Sequence, residues 1–225
     1  MLINMAMIKK LVVKDWDLNR KFIVAYLLGG VLGLVILATP DPVAFYMGSI
    51  ILLTIIIGGG FHLLMSTTIM EKKEQNLPFI MSLPVKPVEY GLAKIMSNLG
   101  IILALWAEMT IGFSAIIYFT GIPDGILVLF WLVSLHVVVN YTIVLSVSII
   151  FVSEGWTIFF MVVLNLLLNP LIAYIGQSPE MNQYFSGDRI VFTDKGFTIL
   201  VVQIMLILIF IGITLWQQSR RRTFI

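Results

Sequence analysis

Residues 68–96 read TIMEKKEQNLPFIMSLPVKPVEYGLAKIM. Four lysines (Lys72, Lys73, Lys86, Lys94), three glutamates (Glu71, Glu74, Glu89) and three prolines (Pro78, Pro84, Pro87) gather in this stretch. On either side the chain is almost uninterrupted Ile, Leu, Val, Phe and Gly. A charged island between oily runs is the pattern of a connection that leaves a bilayer between two spanning helices. The composition agrees. Of 225 residues, 60% are hydrophobic and 12% charged, about half the charge of a soluble domain, and the mean hydropathy is +1.04. The chain is expected to be an all-α membrane protein.

A spanning helix needs about 20 mostly apolar residues. Working outward from the island, six segments qualify: Phe22–Thr39, Val43–Met70, Ile95–Phe119, Ile126–Val152, Trp156–Ile175 and Phe197–Trp216. Residues 71–94 form the charged connection between the second and third, and 176–196 a polar connection between the fifth and sixth. Shorter turns, TPDP (39–42), GIPD (121–124) and SEG (153–155), join the rest. No internal repeat divides the sequence, so 1–225 reads as a single membrane domain.

Lysine and arginine set the orientation. The N-terminal arm, the island, the SEG turn and the tail together carry twelve of the fourteen basic residues, and the opposite connections only Arg189 and Lys195. Both termini and the island are therefore expected in the cytoplasm. The opening residues show no apolar core followed by a cleavage site, so the first span is expected to direct insertion. In the arm, residues 1–21, one helical face holds Met1, Met5, Ile8, Val12 and Trp16, with Lys10, Lys14, Asp17 and Lys21 opposite. That is a basic amphipathic helix lying on the membrane surface, or else an arm that only sets topology. Asp15 and Asn19 intrude on its apolar face.

The island is long for a simple connection, and it is half apolar. Its prolines forbid a continuous helix, so it reads as short helical pieces broken at SLPVKP. Such pieces rest on the membrane or dock into a partner's groove, and docking is the sharper reading. The order and spacing of these features resemble the ABC-2 type permeases, the membrane subunits of ATP-binding-cassette exporters. The likeness rests on the amphipathic arm, two spans, Glu71 closing the second, and then LPFIMSLPVKPVEYGLAK, with the family's Leu-rich segment and SLPV-like element. It departs from the family at Gln75-Asn76, where many members have Gly-Thr. The resemblance implies a type V exporter fold, a connecting helix at 5–21, and a coupling helix whose contacts to an ATPase come from Glu71, Leu77, Phe79, Leu83, Pro84 and Lys86. It also implies two copies of a cytosolic ATPase, a second permease subunit, identical or different, and a place in a bacterial plasma membrane. The opening MIKKLVVKDWDLNRK resembles exporters of peptide toxins and antimicrobial peptides.

No G-x-x-x-x-G-K-[ST] loop is present, and Gly58-Gly59-Gly60 lacks the Lys-Ser/Thr that meets phosphate and magnesium. ATP and Mg would therefore sit on the partner, and this chain is expected to be no enzyme, with no catalytic residues, no cofactor of its own and no nucleic-acid partner. Having no cysteine, it has no disulfide or thiolate-metal framework. Polar residues inside the spans mark candidate path positions: Glu108, His62, Asn165 and Asn169. An ionised carboxylate at mid-membrane costs on the order of 3 kcal/mol, so Glu108 lines a wet path or makes a structural hydrogen bond. His136 and Asn140 lie four apart on the fourth span, as do Asn165 and Asn169 before Pro170. Both pairs suit interhelical bonds, and the second also suits a gate at a kinked helix. The three glycines allow a flex point or close packing. The stretch 184–192 is a short element over the outer mouth or a solvated loop. An ion-coupled carrier using Glu108, His62 and His136 is the alternative function.

Overall fold

Inside a bilayer every backbone N–H and C=O must be satisfied within the chain, which favours helices. The computed structural model describes residues 3–73 and 85–221, apart from the Lys72 side chain, and all regular elements among them are helical. They are α1 (Met5–Leu37), α2 (Pro42–Leu64), α3 (Pro87–Thr120), α4 (Ile126–Phe151), α5 (Glu154–Leu166), α6 (Leu168–Gln177), α7 (Pro179–Phe185) and α8 (Asp194–Arg220). A single π-helical turn, Met65–Ile69, and a last α turn, Met70–Lys73, prolong α2. Among the described residues six helices are long and apolar enough to cross a membrane, with α5 and α6 together making one. The chain is a multi-pass, all-α membrane protein.

Helix α4 is the centre. In its most apolar window 61% of residues are buried, against 11% for α5–α6 and for α8, whose outer faces are open. Leu132, Val138 and Leu145 of α4 are essentially inaccessible. Phe113 of α3 stacks on Phe130 of α4, ring centroids 3.9 Å apart. Helix α1 packs along α2 and α3, and α8 along α4.

Local chemistry explains the boundaries. Helix α1 runs unbroken from arm to span because neither proline nor glycine lies between Met5 and Leu28. Arm and first span are thus one helix. Its buried arm face is Ile8, Leu11, Val12, Asp15 and Asn19, while Met5 and Trp16 are exposed. The expected apolar face is therefore rotated toward α3. Helix α3 starts at Pro87, inside the island. Proline is pre-set for a first helical position, and Lys86 before it is extended (φ −86°, ψ 154°). The fifth span breaks at Leu167, three residues before Pro170, whose missing N–H frees a carbonyl one turn back.

The termini of the helices sort into two ends. At one end, Asn4 N donates to Glu89 Oε1 (2.8 Å), Lys73 pairs with Glu154 (2.5 Å), Gln218 donates to Ile149 O (3.1 Å) and Arg221 to Ile150 O. The arm, both edges of the island, the 152–155 turn and the end of α8 meet there. At the other end, α7 seats the buried Met181 against Val128 and Leu132, Trp131 stacks on Phe192 (5.9 Å), and Gly125 N donates to Gly187 O (2.9 Å). The connection 176–196 is thus a packed helix with an ordered return. A Cβ on Gly125 would lie 1.8 Å from Tyr184 O. Gly125→Ala should therefore lift α7 off the bundle, seen as faster proteolysis within 178–193 with the spans intact.

Candidate functional site

At the described edges of the island, α1, the end of α2 and the start of α3 gather four charges, of which Asp15, Glu71 and Lys94 are buried and Lys14 is half-exposed. Lys94 of α3 is 1% exposed and its Nζ lies 3.0 and 2.9 Å from the Asp15 carboxylate oxygens and 2.9 Å from Glu71 Oε1. Lys14 Nζ adds bonds to Glu71 Oε1 and, at 3.3 Å, to Asp15. Tyr90 OH donates to Glu71 Oε2 (2.9 Å). Two cations and two carboxylates balance, so the cluster carries no net charge. Burial works to raise the Glu71 carboxyl, but the Lys94 and then the Lys14 charge outweigh it and hold the group below the ordinary value of 4.5.

The local sequence builds this node from both sides. Asp15 and Asn19, one turn apart, turn toward α2 and α3 because Ile8, Leu11 and Val12 on the same stripe pack against Val85 and Ala93. The residues that spoil the amphipathic pattern of the arm are its buried polar contacts. Glu89 accepts from Lys86 N (2.9 Å) with one oxygen and from Asn4 N with the other, fixing the start of α3 against the start of α1.

Polar contacts continue from the node into the bundle. Asn98, one turn beyond Lys94 and fully buried, donates to Lys94 O (2.9 Å) and accepts from Thr67 Oγ1 (3.0 Å) and Tyr141 OH (3.1 Å). Ser66 Oγ donates to Asn19 Oδ1 (2.8 Å). Thr67 and Ser66 both belong to the π-helical turn, and such turns mark functional positions in helices. Further along α2, His62 Nδ1 meets Tyr26 OH at 3.1 Å, with Phe22 edge-on at 4.5 Å. The hydrogen bonds therefore step from α1 to α2, to α3 and to α4.

The residues expected from sequence fall in several places. Glu71 is in the node, and Lys86 stands at its edge before α3. Leu77, Phe79, Leu83 and Pro84 lie outside the described residues. His62 ties α2 to α1. Gly59 and Gly60 serve close packing, since a Cβ would come within 3.0 Å of the Tyr26 ring at the first and 2.9 Å of Ile102 at the second. Glu108 lies against Gly30 of α1, whose Cβ would be 3.1 Å from Glu108 Oε1. Its Oε2 is enclosed with no hydrogen-bond partner among the described residues. Asn140 donates to Leu164 O (2.9 Å), bridging α4 to α5. Asn165 faces a small cavity of about 20 Å³ with Asn140 and Tyr141. Asn169 is exposed, beyond the break at Leu167. His136 is half-buried on α4.

A larger cavity, about 190 Å³, lies between α2, α3, α4 and α6 toward the far end. Its walls include Phe45, Leu52, Trp106, Met109, Phe113 and Phe130. Among the described residues no group of three or more His, Asp or Glu stands in a metal-holding arrangement. Sequence reasoning missed Asp15, Lys94 and Asn98 as site residues. The one signal for Asp15 was its misplacement on the arm.

Comparison with protein-family models, with curated proteins and with solved structures returned no match.

Proposed function

We propose that this chain is the permease subunit of an ATP-driven exporter of the ABC-2 type, working with a second permease and two copies of a separate ATPase in a bacterial plasma membrane. The observation that carries the reading is the node itself. Glu71 and Lys94 are the two edges of the island; they bind each other at 2.9 Å, and Lys94 also binds Asp15 of α1 at 2.9–3.0 Å, all three being buried. A push on a part docked between them would pass into α1, α2 and α3 together. Separating these charges inside protein costs several kcal/mol per ion, so the tie behaves as rigid. The exposed Lys73–Glu154 pair adds a weaker contact to α5.

The excess of basic residues at the island end supports a cytoplasmic placement for it. The apolar, aromatic walls of the 190 Å³ cavity suit hydrophobic or amphipathic cargo, and the resemblance in the arm favours peptide toxins or antimicrobial peptides. The decisive experiment isolates the tagged chain with its partners, then reconstitutes it in liposomes. A co-purifying ATPase whose activity rises with the chain, and cargo movement that needs ATP, are expected. Cargo movement by the chain alone overturns the reading.

The unpartnered Oε2 of Glu108 favours one second reading, an ion-coupled carrier in which this carboxyl takes and releases a proton. A proton gradient without ATP would then drive transport in liposomes, and Glu108→Gln would abolish it. If the exporter reading holds, Glu108→Gln leaves ATP-driven movement within about threefold of the parent.

A further inference from the structure

Between α1 and α3, at the island end, a side-opening crevice of about 280 Å³ runs along the bundle. Its mouth holds Trp16, Asp17 and Arg20, and its walls are Ile23, Leu27, Ile101, Ala104 and Leu105. We propose that it binds one phospholipid with a primary ammonium headgroup, such as phosphatidylethanolamine, with an acyl chain in the crevice, the phosphate on Arg20 and the ammonium on Asp17.

The dimensions fit one leaflet. From Asp17 to Leu27 a helix rises about 15 Å at about 1.5 Å per residue, half of a hydrocarbon core of about 30 Å. One turn past Leu27 the seam closes, because Gly30 brings α1 onto the Glu108 carboxyl. The crevice is thus a slot with a polar mouth and an apolar blind end. The Trp16 ring is held as one wall by its Nε1 bond to Ser97 O (3.1 Å), and it stands over Gly100, where a Cβ would lie 3.1 Å from the ring. Tryptophan at this depth belongs to the headgroup boundary.

The charges select the headgroup. Asp17 and Arg20 are three apart on one helix, so their Cβ atoms are about 5–6 Å apart. A carboxylate and a guanidinium side by side repel a purely anionic headgroup at one and attract it at the other. A phosphate joined by a short bridge to an ammonium satisfies both with charge-assisted hydrogen bonds. A choline headgroup has no N–H to donate to Asp17 and so gains only half.

The test uses the full chain in nanodiscs of phosphatidylcholine carrying equal mole fractions of either phosphatidylethanolamine or phosphatidylglycerol. Lipids retained after extraction are counted by native mass spectrometry, and the unfolding temperature is recorded. Phosphatidylethanolamine should be retained at least threefold over the other two and raise the unfolding temperature by several degrees. Asp17→Asn should cancel its advantage over phosphatidylcholine, and Arg20→Gln should lower retention of all three. Ala104→Trp, at an exposed wall position, should lower the retained count by filling the slot, while Lys195→Gln at the opposite end changes nothing. Asp17 and Arg20 are exposed, so their variants fold even where the Trp variant does not. Preferred retention of phosphatidylglycerol, or a phosphatidylethanolamine preference unchanged in Asp17→Asn, overturns the proposal.

Discussion

Replacing Lys94 with methionine is expected to lower the stability of the folded chain by about 3–5 kcal/mol, the cost of breaking a buried ion pair by removing one partner. The methionine fills the same space, so the loss is electrostatic. Asp15 keeps only the 3.3 Å contact to Lys14, and Glu71 shares that same lysine. A second substitution gives the diagnostic result. Asp15→Leu with Lys94→Met leaves Lys14 and Glu71 as one balanced pair, and apolar replacement of a whole buried pair is often neutral or better. Thermal unfolding in detergent should therefore place the double variant within about 1 kcal/mol of the parent. If the proposed coupling holds, the same double variant, though stable, loses most of its stimulation of the partner ATPase, because nothing ionic then ties α1 to α3. Equal instability of single and double variants would show that the node acts by packing alone.

Acid should act on the same node, and the direction is set by Glu71. Its folded-state carboxyl titrates below the ordinary 4.5 because Lys94 and Lys14 outweigh its burial. A depressed carboxylate contributes stability that is complete above the unfolded value and is lost as pH falls through the folded one. Unfolding temperature should thus be flat from neutral pH to about pH 5 and fall below about pH 4.5. Glu71→Gln should flatten that fall.

The helices were legible in the sequence because the bilayer imposes a length. Runs such as Ile126–Val152 contain no Asp, Glu, Lys or Arg, and α4 ends one residue from the expected boundary. The break in the fifth span was legible for a different reason: proline at 170 removes a backbone donor wherever it sits in a helix. The node was not legible, because Asp15 and Lys94 are 79 residues apart and nothing local pairs them. Lys94 looked like the trailing charge of a loop, whereas α3 begins at Pro87 and carries it inward. Only Asp15 and Asn19, polar residues on an otherwise apolar stripe, betrayed a buried partner. The same reasoning applies to the arm. Its amphipathic face was read against lipid, but Ile8, Leu11 and Val12 meet Val85 and Ala93 while Met5 and Trp16 stay exposed, a division that periodicity alone does not make.

Asn98→Leu should be the most damaging neutral substitution in the bundle. The asparagine is fully buried and makes three hydrogen bonds: to Lys94 O, from Thr67 Oγ1 and from Tyr141 OH. The last two cross between helices, and interhelical bonds in membrane bundles contribute roughly 0.6–1.7 kcal/mol each, so their loss should be roughly 1–3 kcal/mol. The two hydroxyls left behind do not suffer equally. Thr67 still donates to Leu63 O at 2.8 Å, whereas no further partner is recorded for the Tyr141 hydroxyl among the described residues. An orphaned buried group costs about 1–3 kcal/mol, while removing both partners is nearly neutral. Adding Tyr141→Phe to Asn98→Leu should therefore recover about 1 kcal/mol or more, although Tyr141→Phe alone destabilises. Adding Thr67→Val should recover much less. Reversible unfolding in mixed detergent across these variants measures the coupling directly. Strict additivity of Asn98→Leu and Tyr141→Phe would mean that the 3.1 Å contact is not a hydrogen bond that holds α3 to α4.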